Sequence, residues 1–253
     1  MRIGVSGASG RMGSLAAMTI GETDGLSLTA LFDAHTAGNI SGFAVGQDPS
    51  ALDGCDVILE FSHPDVVMDH LAIWRSFGAN VVVGTSGFDA DRAEELNALW
   101  GNGPGNCLVV PNFSIGGVLM MKMAEIAAPH FAAAEIIELH HDRKADAPSG
   151  TAIATAERIT QAGSPSQRNV TSEELIPGAL GADVEGVPVH SVRLPGLLAH
   201  QMVMFGSEGE RLTIRHDTSD RSAFMPGVLL AVRSVSDLKD TMSFGIESLL
   251  GLS

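Results

Sequence analysis

The sequence predicts an α/β protein with a doubly wound parallel sheet followed by a second, α+β layer. Two observations predict it. In the first part, short apolar runs bounded by turn residues alternate with helix-patterned stretches, which is how βαβ units read. After Asn112 this alternation stops, and the chain gives a long helix, a strand, a second helix and then strands separated by glycine-rich turns.

Taken in order, Arg2–Val5, Leu28–Phe32, Val57–Phe61, Asn80–Val83 and Leu108–Val110 read as strands. Their near-continuous apolar character suits a parallel sheet covered on both faces. Met12–Ile20, Pro64–Phe77 and Asp89–Trp100 read as the helices between them. Beyond Asn112, Ile115–Phe131 reads as one helix, Glu135–His141 as a strand and Gly150–Ala162 as a helix. Val187–Arg193, Gln201–Gly206 and Arg211–His216 read as a mainly meandering sheet, and Phe224–Val235 returns to helix. The stretch 163–185 reads as a loop.

Composition narrows the functional classes. At 253 residues, 45% hydrophobic and 18% charged, the chain has the makings of an ordinary globular core. Its formal net charge of -15 argues against nucleic acid or an anionic membrane as partner, since both require clustered Lys and Arg. Cys55 and Cys107 are too few and too isolated for a disulfide framework or a zinc site, so no metal is expected. The chain enters the apolar run Ile3-Gly4-Val5 at once, and Lys122 interrupts the best membrane-span candidate, so a cytoplasmic protein is expected.

The first strand runs into Gly7-Ala8-Ser9-Gly10-Arg11-Met12-Gly13, which opens the first helix. Glycines without Cβ atoms let backbone approach a pyrophosphate, and the helix start offers N–H groups to it. Such a turn is also an ordinary connection, and alone it is a weak signal. Asp33 strengthens it. This residue ends the second run, 20 residues beyond Gly13, where a carboxylate accepts from the adenosine ribose hydroxyls of a dinucleotide. Arg11 suits the phosphates or adenine, and equally a solvated helix start. Gly84-Thr85-Ser86 and Val110-Pro111-Asn112-Phe113 end two further strands on the same carboxyl edge, where ligands of such sheets bind.

Proton chemistry concentrates in Glu138 to Thr151, which holds His140, His141 and Lys144, one of only three lysines in the chain. On a strand, Ile136, Glu138 and His140 share one face while Ile137, Leu139 and His141 share the other, so the two imidazoles should do different jobs. Ser149 or Asp146 suits an N-cap, with Gly150 and Thr151 in the first helical turn, a backbone-rich pocket for a carboxylate.

His140-His141-Asp142-Arg143-Lys144-Ala145-Asp146-Ala147-Pro148-Ser149-Gly150-Thr151 resembles the signature of the dihydrodipicolinate reductase family. The resemblance extends over nearly the whole chain, through Gly7–Gly13, Glu60-Phe61-Ser62, Gly84-Thr85-Ser86, Pro111-Asn112-Phe113-Ser114 and Ser191–Gly196. It implies a Rossmann-like dinucleotide-binding domain at 1–111 plus 221–253 and an α+β substrate and oligomerisation domain at 112–220. The implied activity is hydride transfer from NADH or NADPH to a small cyclic dicarboxylate on the diaminopimelate route to lysine, by a homotetramer. By the same resemblance, His140 is the proton donor or acceptor and Lys144 a second acid, while His141, Gly150 and Thr151 hold the substrate. Gly7, Ala8, Ser9, Gly10, Arg11, Met12, Asp33, Gly84, Thr85, Ser86, Val110, Pro111, Asn112 and Phe113 contact the cofactor. No arginine follows Asp33, only Ala34 and His35, so NADH is expected to be preferred over NADPH.

Rival readings fare worse. Short-chain dehydrogenases need a catalytic tyrosine, and the chain has none. Aspartate-semialdehyde-type dehydrogenases need a nucleophilic cysteine, whereas Cys107 opens an apolar strand. A redox-sensing dinucleotide-binding regulator would keep Gly7–Gly13 but has no use for His140, His141 and Lys144 together.

Overall fold

The structure is a computed structural model and describes residues 1–163 and 170–252. It divides into two compact units, Met1–Ser114 with Phe224–Ser253, and Ile115–Ala223.

The first unit contains β1 (Arg2–Ser6), α1 (Arg11–Gly21), β2 (Ser27–Phe32), β3 (Gly38–Ile40), β4 (Phe43–Gly46), β5 (Val57–Glu60), α2 (Val67–Ser76), β6 (Asn80–Val83), α3 (Ala90–Trp100) and β7 (Cys107–Val109). The second unit supplies α4 (Ile115–Ala127), β8 (Ala133–His140), α5 (Gly150–Gln161), β9 (Ala182–Val184), β10 (Val187–Arg193), β11 (Ala199–Ser207) and β12 (Glu210–Thr218). The chain then returns to the first unit with α6 (Met225–Ser234) and β13 (Met242–Phe244).

The first sheet runs β13-β7-β6-β5-β1-β2-β4-β3 and is parallel apart from the β3–β4 hairpin at its edge. From β1 the chain builds outward through β2 on one side and through β5, β6 and β7 on the other. The order therefore reverses at β1, and the crevice beyond its carboxyl end is where such sheets bind ligands. The central strands are apolar on both faces because both faces are covered: β5 and β7 are wholly buried, as is β1 after Arg2. Trp74 and Trp100, both at 0% exposure, anchor the core on the α2–α3 side with Leu71, Leu96 and Val81. Cys107 is part of that core, and burial raises its thiol pKa far out of the nucleophilic range.

The second sheet, β12-β11-β8-β10-β9, is mixed. The expectation of a meander is corrected here: β10 lies parallel to β8, with α5 between them in the chain. Parallel neighbours need such a crossover, and the apolar stripe of α5 (Ala152, Ala156, Ile159) is buried. Burial alternates along β8, where Ala134, Ile136 and Glu138 are buried, and along β11, where Gln201, Val203 and Phe205 are. These residues share the face on which α5 packs, as the bond from Gln201 Nε2 to Thr155 Oγ1 (2.8 Å) shows. The opposite face carries Ile137, Leu139, Met202 and Met204, all half-buried, and Val192 at the exposed margin.

Four short strands escape the sequence reading. β3, β4 and β13 have three or four residues each, too few for a periodic signal. β9 falls within 163–185, where a plain loop is expected; 164–169 of that stretch lie outside the described residues.

Candidate active site

In the first unit the carboxyl edge is organised around the glycine turn. Gly7 has φ +70°, and a Cβ there would stand 2.6 Å from the Phe61 carbonyl. A Cβ on Gly13 would stand 2.2 Å from the Gly7 oxygen, so the first turn of α1 lies directly against the turn backbone. Gly10 is the N-cap of α1 in an extended conformation, and no side chain caps that end. This leaves N–H groups at the start of α1 without a side-chain acceptor.

Asp33 is tied directly to that turn. Its Oδ2 accepts from Ser9 N (3.1 Å), and its Oδ1 from His35 N (3.1 Å) and Thr36 N (3.0 Å). A carboxylate has about four acceptor positions, so roughly one is left for a ribose hydroxyl. Asp33 thus braces the turn, a role the spacing argument did not foresee. Ala8 is buried and its N–H donates to Phe32 O, while Arg11 is exposed.

Gly84, Thr85 and Ser86 follow β6. Gly84 packs under Phe61 and Phe113, whose rings are 5.7 Å apart, and Thr85 Oγ1 donates to Glu60 O and Ser62 O. Val110 N donates to Val83 O, Pro111 is exposed, and Asn112 Oδ1 accepts from Ser114 N. Sequence reasoning quoted Glu60 in the Glu60-Phe61-Ser62 segment but gave it no role. It is fully buried, accepts from Ser62 N and Trp74 Nε1 (both 2.7 Å), and lies 3.4 Å from His70 Nδ1. Burial opposes its ionisation, but the His70, Ser62 and Trp74 donors outweigh that and hold its pKa below the usual value. The available signal was an acid closing the apolar run Val57-Ile58-Leu59.

In the second unit the end of β8 gathers the proton-transfer candidates. His140 and Glu138 share a face, and His140 Nδ1 is hydrogen-bonded to Glu138 Oε2. Arg193, the register partner of His140 on β10, donates to both Glu138 oxygens (3.0 and 2.8 Å) and to the Asp146 carbonyl (2.7 Å). Burial would raise the Glu138 pKa; bonds from His140, Arg193 and Ser191 overcome it and hold the carboxyl at about 2.

That shift predicts acid sensitivity. The folded value lies below the ordinary 4.5, so the stabilisation is fully present above about pH 4.5 and is lost as pH falls towards 2. It amounts to roughly 3 kcal/mol. Urea midpoints should therefore fall steeply below about pH 4.5 and less steeply in Glu138→Gln; equal slopes would refute the assignment.

His141 corrects the sequence expectation. β8 ends at His140, and His141 opens a turn in which its Nδ1 accepts from Arg143 N (3.2 Å) and its carbonyl from Lys144 N (3.2 Å). These local bonds compete with strand pairing and end it. Lys144 Nζ binds both Asp146 oxygens (2.6 and 2.8 Å). Ser149, not Asp146, caps α5, its Oγ accepting from Ala152 N (3.2 Å). A Cβ on Gly150 would meet nothing within 4 Å, so the protein's own packing does not demand glycine there, and the space suits a ligand.

Among the described residues, no group of three or more His, Cys, Asp or Glu side chains is placed to hold a metal ion, and no helix is long and apolar enough to cross a membrane.

The family model for the dihydrodipicolinate reductase N-terminus matches residues 1–113, and that for its C-terminus matches 116–250. The chain belongs to the dihydrodipicolinate reductase family. Curated 4-hydroxy-tetrahydrodipicolinate reductases of Mycolicibacterium smegmatis and Thermobifida fusca are each 49% identical, with the whole of each chain covered. A solved dihydrodipicolinate reductase from Paenisporosarcina sp. TG-14, bound to dipicolinate, is 35% identical with a TM-score of 0.84, covering 98% of both chains. The chain is an NAD(P)H-dependent oxidoreductase of the diaminopimelate route to lysine.

Proposed function

We propose that the chain reduces 4-hydroxy-tetrahydrodipicolinate to tetrahydrodipicolinate, with His140 as proton donor and NADH as the preferred cofactor. The observation that carries this reading is the end of β8, where His140, Lys144 and the Ser149-capped N-terminus of α5 belong to one short segment. The net change replaces the C4 hydroxyl by hydrogen: the C4–O bond breaks with loss of water to leave a conjugated imine, which then takes up one hydride at C4 and one proton.

The reduced nicotinamide supplies the hydride when bound. Gly7 to Met12 would hold the pyrophosphate, the glycines by letting the backbone approach and the N–H groups at the uncapped start of α1 by donating to it. Asp33 would accept from the adenosine ribose. Gly84 to Ser86 and Val110 to Phe113 contact the remainder of the cofactor. On the substrate side, Gly150 and Thr151 present N–H groups and a hydroxyl to a carboxylate, and His141 contacts the substrate from its turn. Lys144, positioned by both Asp146 oxygens, stabilises the negative charge that develops as hydride arrives. His140 then neutralises that charge with a proton from Nε2.

A 2′-phosphate beside Asp33 would meet a like charge. At about 4 Å this costs roughly 1–4 kcal/mol between water-like and protein-surface screening. Consumption of reduced cofactor with freshly prepared substrate should therefore show kcat/KM favouring NADH by about tenfold or more. A preference for NADPH would overturn the cofactor reading, and no consumption with either would overturn the reaction.

The half-buried apolar face of Ile137, Leu139, Met202 and Met204 suits a homotetramer assembled through the second sheet. Light scattering giving a mass below four chains would exclude it. The same reading places the enzyme in the cytoplasm.

A further inference from the structure

We propose that Glu138 and Arg193 are positioning residues that fix the tautomer and orientation of His140 and tie it to the Lys144 loop. The inference rests on His140 as the proton donor.

Three observations carry it. Glu138 is at 0% exposure, and its two oxygens are shared between the Arg193 guanidinium and His140 Nδ1. A carboxyl held at about 2 is ionised at neutral pH and is purely an acceptor, so Nδ1 carries the hydrogen and Nε2 is the position that exchanges a proton. Arg193 Nη2 donates at once to Glu138 Oε1 and to the carbonyl of Asp146, whose carboxylate holds Lys144 Nζ. One planar guanidinium thereby fixes both proton-transfer candidates relative to one another.

A purely structural ion pair is the competing account. Buried pairs are poor stabilisers, because desolvation offsets most of their attraction, and a well-packed apolar pair serves stability as well. Arg193 and Ser191 already satisfy much of the carboxylate. The imidazole as a further partner is what an orienting role explains.

The test combines tautomer and kinetics. Long-range 1H–15N correlation of 15N-histidine protein should show neutral His140 protonated at Nδ1, the resonance being assigned by its loss in His140→Ala. Glu138→Gln should populate the Nε2 tautomer and lower kcat about 10²-fold, with KM for the cyclic substrate and NADH affinity within roughly threefold. Because Glu138 acts through His140, adding Glu138→Gln to His140→Ala should change kcat no further.

A second full loss in the double variant, or an unchanged kcat in a folded Glu138→Gln, overturns the proposal. If Glu138→Gln does not fold, the native spectrum decides: neutral His140 protonated at Nε2 overturns it, and at Nδ1 supports it. Undiminished turnover in His140→Ala sinks the proton-donor reading instead, while the tautomer measurement still reports on Glu138.

Discussion

His140→Ala is expected to lower kcat about 10³-fold while leaving NADH affinity unchanged. The imidazole is held by the buried Glu138 carboxylate, and an imidazole so placed suits proton transfer to a developing charge. Removing it leaves the developing charge to water and to Lys144. The glycine turn belongs to the other compact unit. Lys144→Ala should also lower kcat, by about 10²-fold, because a preorganised cation contributes differently from a proton donor. Single-turnover kinetics beside NADH fluorescence titration separate these effects from binding. Full activity in both variants would mean that the proton comes from elsewhere.

Gly13→Ala should severely damage the glycine turn. Its Cβ would lie 2.2 Å from the Gly7 oxygen, an atom of the backbone that no rotamer change relieves. Either α1 or the turn must shift. That overpacking costs roughly 1–3 kcal/mol. The shift moves the helix-start N–H groups proposed to hold the pyrophosphate, so NADH affinity should fall by at least about tenfold. Gly7→Ala meets both a φ of +70° and a contact of 2.6 Å and should be comparably severe. Gly10→Ala, with its nearest contact at 3.2 Å, should be milder. Thermal melts and NADH titrations of the three variants check this order; Gly10→Ala proving as harmful as Gly13→Ala would refute the packing argument.

Legibility of the chain follows the range of the forces involved. Asn80–Val83 and Val187–Arg193 occupy the positions their apolar runs and flanking turn residues predict. The cap of α5 was readable for the same reason, Ser149 being one of two candidates and acting on Ala152 only three positions away. The β3–β4 hairpin was not, being short and mostly exposed, with only Val45 of β4 buried. The place of His141 was misread because turn bonds to Arg143 and Lys144 displaced a strand pattern that could have run one residue further.

The partners of the candidate groups divide in the same way. His140, Lys144 and the Ser149-Gly150-Thr151 helix start were visible because chemistry and spacing sit in one segment. Glu138 was visible only as a residue on the His140 face. Its binding to Arg193, 55 residues along the chain, depends on β10 pairing parallel to β8 in one register, with Ser191 opposite Glu138 and Arg193 opposite His140. A slip of one residue would send the guanidinium to the other face. Asp33 is similar: its spacing pointed to a ribose, but its grip on Ser9 N exists only because β2 lies beside β1.

By itself, then, the sequence determined the family, the α/β architecture and the kinds of groups available, because turns, caps and hydrophobic periods are local and residue types are explicit. Only the tertiary structure decided which carboxylate orients the imidazole, which cation holds that carboxylate, and which acid braces the glycine turn. Those choices are made by strand register and burial, which act between residues far apart in the chain and leave no local mark.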